Sequence, residues 1–278
     1  MSTADLPVDR RLYELTTWRV PGPNEPIPCL LLRRADRPDP KPGLVYYHGV
    51  VQNKEAYVDT HPLARRLADE GFAVAIPDAP GHGERPAGAG LIERLRRSLA
   101  AEFCRDIELA GDESGALLDW LSSQPGVDRE RLGVLGISMG GYTTAVVAER
   151  QSARLGAAVC IAGSADLTTC MQETDSIAPG RWGPPDRAID PETRERIDRI
   201  DPLRYPDRYP PLPLLLLHGE RDTWNPPVTS QRFHAALQPH YAAQPDRLRL
   251  VIVPEAPHWP PGRPFADEAA AWLKRYLA

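Results

Sequence analysis

Arg131–Tyr142 reads RLGVLGISMGGY. Leu132, Val134 and Leu135 form a short apolar run with the character of a buried strand. Gly136-Ile137-Ser138-Met139-Gly140 follows without a gap, and Tyr142–Ala148 has the composition of a packed helix. A G-x-S-x-G between strand and helix carries its serine on a sharp turn. The hydroxyl is pushed clear of the sheet edge, and the helix N-terminus beneath it favours developing negative charge. Small residues two before and two after the serine let strand and helix approach without a Cβ clash. The plainer alternative is a glycine-rich turn with an inert serine, but the flanking elements favour Ser138 as a nucleophile.

Outward from this stretch, the chain alternates short apolar runs with amphipathic ones. Leu12–Arg19 and Ile27–Leu32, separated by Pro21-Gly22-Pro23-Asn24, predict an antiparallel edge hairpin. Leu44–Tyr47, Phe72–Pro77, Ala157–Ala162, Leu212–Leu217 and Leu248–Val253 predict buried strands. Helical spacing covers Glu55–Glu70, Gly90–Ser123, Gln231–Leu237 and Pro264–Leu277. Such alternation means an α/β fold, a mostly parallel central sheet with helices on both faces. One interval breaks the pattern. Residues 168–211 carry no strand signal and are rich in proline, arginine and aspartate, with a short helix expected over Pro191–Ile200. An interval this long inside a compact domain reads as a cap insertion over the carboxyl ends of the strands. Trp182, Leu203, Tyr205 and Tyr209 give it something to bury. The expected organisation is one domain, residues 1–278, with the cap within it.

A serine hydroxyl needs a base within hydrogen-bond reach, and the base needs an orienting acid. In an open parallel sheet these groups meet just past the carboxyl ends of the strands. His258, after the last strand in Val253-Pro-Glu-Ala-Pro-His258, is the candidate base. Asp222, in His218-Gly219-Glu220-Arg221-Asp222 after the preceding strand, is the candidate acid. His48 and His218 are rivals for the base, each before a glycine in a turn where a structural hydrogen bond is the usual role. Asp166 and Glu220 are rivals for the acid. The oxyanion donors expected from position are the backbone N–H groups of Met139 and of Val50, with Val51 the alternative to Val50. Trp182, Trp224, Trp259 and His82 are candidates to line a substrate site. Ordinary packing accounts equally well for the tryptophans, and a turn role for His82. Lys54 reads as a solvated lysine at a helix start.

The totals narrow the function further. The 278 residues suit one large α/β domain, and a net charge of −5 supplies no basic surplus for nucleic acid. Thirty-one prolines gather in the loops, and four scattered cysteines (Cys29, Cys104, Cys160, Cys170) have no metal-type spacing and read as free, mostly buried thiols. No metal or cofactor is expected. The N-terminal residues lack the apolar core of a signal peptide, and no apolar run is long enough to span a bilayer, so a cytoplasmic location is expected. Oligomeric state is left open, a homo-oligomer included.

Gly136–Gly141, His48-Gly49, His218–Asp222 and His258 together resemble the α/β-hydrolase pattern over nearly the whole chain. His48-Gly49 with Asn53-Lys54-Glu55, and Asp78 with Gly81-His82-Gly83-Glu84-Arg85, resemble small bacterial esterases of the dienelactone-hydrolase-like and prolyl-oligopeptidase-like branches. The chain order Ser138, Asp222, His258 is the order that fold implies. The resemblance implies a metal-free carboxylic ester hydrolase, acting on a small-molecule ester through an acyl-enzyme. Ser138 stands where dienelactone hydrolases carry cysteine, and the residues before Leu44 leave no room for the propeller of prolyl-oligopeptidase-like peptidases. An amide or short-peptide hydrolase and an acyltransferase share the same triad. A non-catalytic binding protein on a hydrolase scaffold is the alternative of another class.

Overall fold

The computed structural model describes residues 12–59, 61–85, 90–173, 188–259 and 264–278. Among the described residues eight strands, β1 (Tyr13–Val20), β2 (Ile27–Arg34), β3 (Lys41–Tyr47), β4 (Ala73–Pro77), β5 (Val127–Ile137), β6 (Ala157–Ile161), β7 (Leu214–Gly219) and β8 (Leu248–Val253), form one sheet. Their order is β1-β2-β4-β3-β5-β6-β7-β8. β1 and β2 run antiparallel to each other, and β2 antiparallel to β4, while every pairing from β4 to β8 is parallel. The edge hairpin and the parallel body expected from the sequence are both present.

The strands alternate their side chains between two apolar layers, as a two-residue period requires. On one face Val45, Val134, Ala158 and Leu216 pack with Leu117, Leu118 and Leu121 of α4 (Leu99–Ser122), Ala145 and Val147 of α5 (Met139–Gln151) and Phe233 of α8 (Pro227–Leu237). On the other, Leu44, Leu135, Val159 and Leu217 pack with Tyr57 and Val58 of α1 (Lys54–Asp59), Leu63 and Leu67 of α2 (Pro62–Asp69) and Phe265 and Leu273 of α9 (Pro264–Leu277).

Two expected helices are each broken in two. Glu55–Glu70 becomes α1 and α2, because Pro62 opens α2 and cannot continue the hydrogen-bond ladder of the turn before it. Gly90–Ser123 becomes α3 (Leu91–Arg97) and α4, parted at Ser98, whose extended backbone (φ −159°, ψ 94°) reverses nothing in the apolar periodicity and so leaves no trace in it.

Within 168–211 the described residues hold α6 (Leu167–Glu173), α7 (Pro191–Ile200) and two short 3-10 turns, and no strand. α7 forms where expected. Asp190 caps it by accepting from Thr193 N at 2.7 Å, and Pro191 sits in its first turn, where a missing N–H costs nothing. Ile197 and Ile200 join Leu99, Phe103 and Ile107 in a third apolar cluster that also contains Met139. Arg196 and Arg199 both pair with Glu108 of α4. Trp182 lies outside the described residues. All four cysteines are buried and free. No described helix is long and apolar enough to cross a membrane.

Candidate active site

β5 ends at Ile137 and α5 begins at Met139, so Ser138 alone makes the turn. Its φ is +59° and ψ −121°, a conformation L-residues rarely adopt and one that marks a site where surrounding packing sustains strain. The glycines around it are demanded by contact. A Cβ on Gly136 would lie 2.1 Å from Gly140 O, one on Gly140 would lie 2.1 Å from Tyr47 O, and one on Gly141 would lie 2.3 Å from Gly163 O. Ser138 N donates to Ile161 O at 2.8 Å, and Gly141 N to Ser138 O at 2.8 Å, which fixes the turn from both sides.

The acid and the base arrive from β7 and β8. Gly219 lets the loop after β8 cross the end of β7: a Cβ there would meet Ala256 O and Pro257 O at 2.4 Å. Glu220 N donates to Val253 O at 3.0 Å and Arg221 N to Ala256 O at 2.8 Å, so the two loops are laced together. The result is a 2.7 Å hydrogen bond from His258 Nδ1 to Asp222 Oδ2. Asp222 Oδ1 accepts from Trp224 N and Asn225 N, each at 2.9 Å. Burial pushes the Asp222 carboxyl up, but hydrogen bonds from His218 and His258 outweigh it and hold the group at about 2. A charged acceptor on Nδ1 leaves the Nε2 lone pair of a neutral His258 ring free to take a proton. The Trp224 ring lies against the imidazole, centroids 4.9 Å apart at 31°.

Ser138 and His258 open into one cavity of about 320 Å³, lined also by Gly49, Val50, Val51, Gln52, His61, Ile137, Trp224 and Trp259. Among the described residues Ser138 Oγ has its hydrogen bond from Asn225 Nδ2, at 3.5 Å, and not with the imidazole. Contacts of this kind often tighten only when substrate binds. Asn225 escapes a reading of the sequence because it lies in a proline-flanked turn with no signature of its own. Its Nδ2 also donates to Ala162 O at 2.5 Å.

Val50 lies in the turn Gly49-Val50-Val51-Gln52, closed by Gln52 N on Gly49 O. A Cβ on Gly49 would come within 3.5 Å of Ser138 Cβ, so this turn abuts the serine. Gly49 N is taken by Tyr57 Oη at 2.8 Å. Met139 N, at the first position of α5, has no acceptor within its own helix. Val51, at φ +58°, holds a conformation that is costly for a β-branched residue at the rim of the cavity.

Three of the rivals, His48, Asp166 and Glu220, go elsewhere. His48 is buried, accepting from Ala79 N at 2.9 Å through Nε2, with Nδ1 on Gly49 O at 2.8 Å. Asp166 pairs with Arg232 at 2.7 Å, and Glu220 accepts from Glu255 N at 2.9 Å. His82 is buried outside the residues lining the cavity, its Nδ1 donating to Pro80 O at 2.8 Å. Lys54 is not solvated: its ammonium is fully buried between Asp78 (2.8 Å), Glu84 (2.6 Å) and Glu55 (2.8 Å), three carboxylates that together replace water. Trp224 and Trp259 do line the cavity. No group of three or more His, Cys, Asp or Glu side chains among the described residues is arranged to hold a metal ion.

The model of the prolyl oligopeptidase family matches residues 62–278, which include Ser138, Asp222 and His258. The chain belongs to the prolyl oligopeptidase family. It is a serine hydrolase with the α/β-hydrolase fold. It is 27% identical over 255 residues to the Bacillus subtilis (strain 168) protein named "Putative esterase YitV", covering 90% of this chain and 96% of that one. Among solved structures, a puromycin-hydrolyzing peptidase of Mycobacterium tuberculosis aligns with a TM-score of 0.74 at 22% identity. That alignment covers 99% of this chain, which spans only 41% of the peptidase. The Pyrococcus furiosus esterase Pf2001 aligns with a TM-score of 0.67 at 19% identity, covering 96% of this chain and 94% of that one.

Proposed function

We propose that this member of the family hydrolyses carboxylic esters of small molecules through an acyl-enzyme. Ser138 is the nucleophile, His258 the general base and acid, Asp222 the acid that orients it, and the N–H groups of Met139 and Val50 the oxyanion donors. The observation that carries the reading is the 2.7 Å Asp222–His258 bond beside a cavity into which the strained Ser138 also opens. His258 Nε2 takes the hydroxyl proton as Oγ attacks the ester carbonyl. The same nitrogen returns it to the leaving alcohol, and water repeats the cycle on the acyl-enzyme.

The ester preference is supported by the cavity wall, whose described residues include no carboxylate, lysine or arginine to hold a peptide terminus. It is supported too by the match, over 90% of this chain, to a relative that carries an esterase name. Residues 168–211 act as a cap in this reading, and its helix α7 is anchored to α4 through Glu108 and the α7 isoleucines. Replacing Ser138 with alanine is expected to abolish p-nitrophenyl acetate turnover while the fold, followed by circular dichroism, is kept. Unchanged turnover ends the nucleophile assignment. The family's peptidase name makes amide hydrolysis the second reading, and matched ester and anilide substrates of one acyl group separate the two.

A further inference from the structure

The proposed acid is held by two histidines. His218, at the end of β7 and fully buried, brings Nε2 to 3.1 Å from Asp222 Oδ2 and 2.9 Å from Asn225 O. Both acceptors offer only lone pairs, so Nε2 carries a hydrogen. Nδ1 lies 2.8 Å from Ser230 Oγ of α8, which is 2.9 Å from Ser164 Oγ in the loop after β6. Ser164 and Ser230 are buried as well. This row anchors the carboxylate to three segments of the molecule. It also makes His218 and His258 share one oxygen, Oδ2. An acceptor oxygen divided between two N–H donors is less available to either than one serving a single donor.

We infer that His218 is a positioning residue that fixes the Asp222 carboxylate and, by sharing Oδ2, sets how strongly that carboxylate supports the charged form of His258. The inference rests on the triad reading above. Removing the His218 N–H leaves Oδ2 to His258 alone, so the imidazolium gains support and holds its proton to higher pH. Other titratable groups around the cluster do not mimic this. Burial holds the Tyr142 phenol of α5 well above its usual range and the Cys170 thiol of α6 at about 12. Asp166, after β6, is paired with Arg232 of α8. His61, across the cavity, is pushed by burial down to about 4.

The test is the pH profile of kcat/KM for p-nitrophenyl acetate in the full chain. In His218→Phe, which keeps a ring but no donor, the acidic limb is expected to rise by about half a pH unit or more. The downfield proton resonance of His258 Nδ1–H is expected to move further downfield. His218→Gln, whose amide reaches the Nε2 position, is expected to return both to their original places. If the Phe variant does not fold, His218→Asn, too short to reach Asp222, takes its place with the same expected shift. A limb that stays put in a folded variant lacking the donor, or that moves equally in the Gln variant, overturns the inference. Turnover retained in Ser138→Ala would instead overturn the triad reading, whatever the pH profiles show.

Discussion

At the scale of single residues, Ser138 and Trp224 show two kinds of constraint. Ser138 owes its strained backbone to packing that glycines make feasible. Trp224 is held against the His258 ring while staying 46% exposed. An aromatic contact of this type contributes about 0.5–1.5 kcal/mol, and more to a charged ring than to a neutral one. Trp224→Ala is therefore expected to lower kcat/KM for small esters about three- to tenfold, with ring charge developing at His258 during acyl transfer. Steady-state kinetics at several pH values checks it. The site's histidines show how far residue-level reading goes. That His258 and not His48 or His218 meets the open cavity follows from its place after the last strand, and was legible. That Asn225 and His218 touch the same carboxylate was not, since nothing in their local pattern sets them apart from ordinary turn residues.

At the scale of elements, α4 and α5 cross closely, and two glycines on α4 report where. A Cβ on Gly111 would lie 2.8 Å from Val146 Cγ1 of α5 and 2.6 Å from an Arg150 guanidinium nitrogen. A Cβ on Gly115 would meet nothing nearer than Gln151 Nε2 at 3.6 Å. In a helix interior alanine is favoured over glycine by about 1 kcal/mol. Gly115→Ala is thus expected to raise the urea midpoint by the equivalent of about 0.5–1 kcal/mol. Gly111→Ala is expected to lower it, because α5 must move away. The helix expected over Gly90–Ser123 is right in kind and wrong in continuity. Apolar spacing reports which face is buried, and both α3 and α4 bury one; the break at Ser98 is a backbone event that spacing does not record.

At the scale of the whole molecule, several titratable groups are buried away from water, and stability depends on pH through them. Burial pushes His61 down to about 4 and His82 down to about 3. The unfolded chain binds protons at these histidines below about pH 6.5, while the folded chain resists until well below that. Their contribution is therefore complete above about pH 6.5 and lost as pH falls through about 4 for His61 and about 3 for His82. Asp106 acts in the opposite sense, since burial pushes its carboxyl up to about 6 and the folded chain takes that proton first. Two histidines outweigh one carboxyl, so the urea midpoint is expected to fall between pH 7 and pH 4.5. His61→Phe is expected to flatten that slope, and equilibrium unfolding across the range checks both. The acid limit comes lower still, where Asp222, held at about 2, finally protonates.

Periodicity and punctuation along the chain carried the alternating elements, the edge hairpin, the serine on its turn and the order of the three candidate catalytic residues. Those features are local: a strand or a turn needs only the pattern of its own few residues, and the carboxyl ends of parallel strands share one edge wherever such a fold forms. The burial of Lys54 among three carboxylates, the split helices, the crossing of two loops at Gly219 and the second histidine on Asp222 belong to the folded molecule. The lysine cluster and the loop crossing bring together groups far apart in the chain, the second histidine reaches its carboxylate only once the turn after β7 is folded, and the helix breaks are backbone events; none of these leaves a mark on apolar spacing.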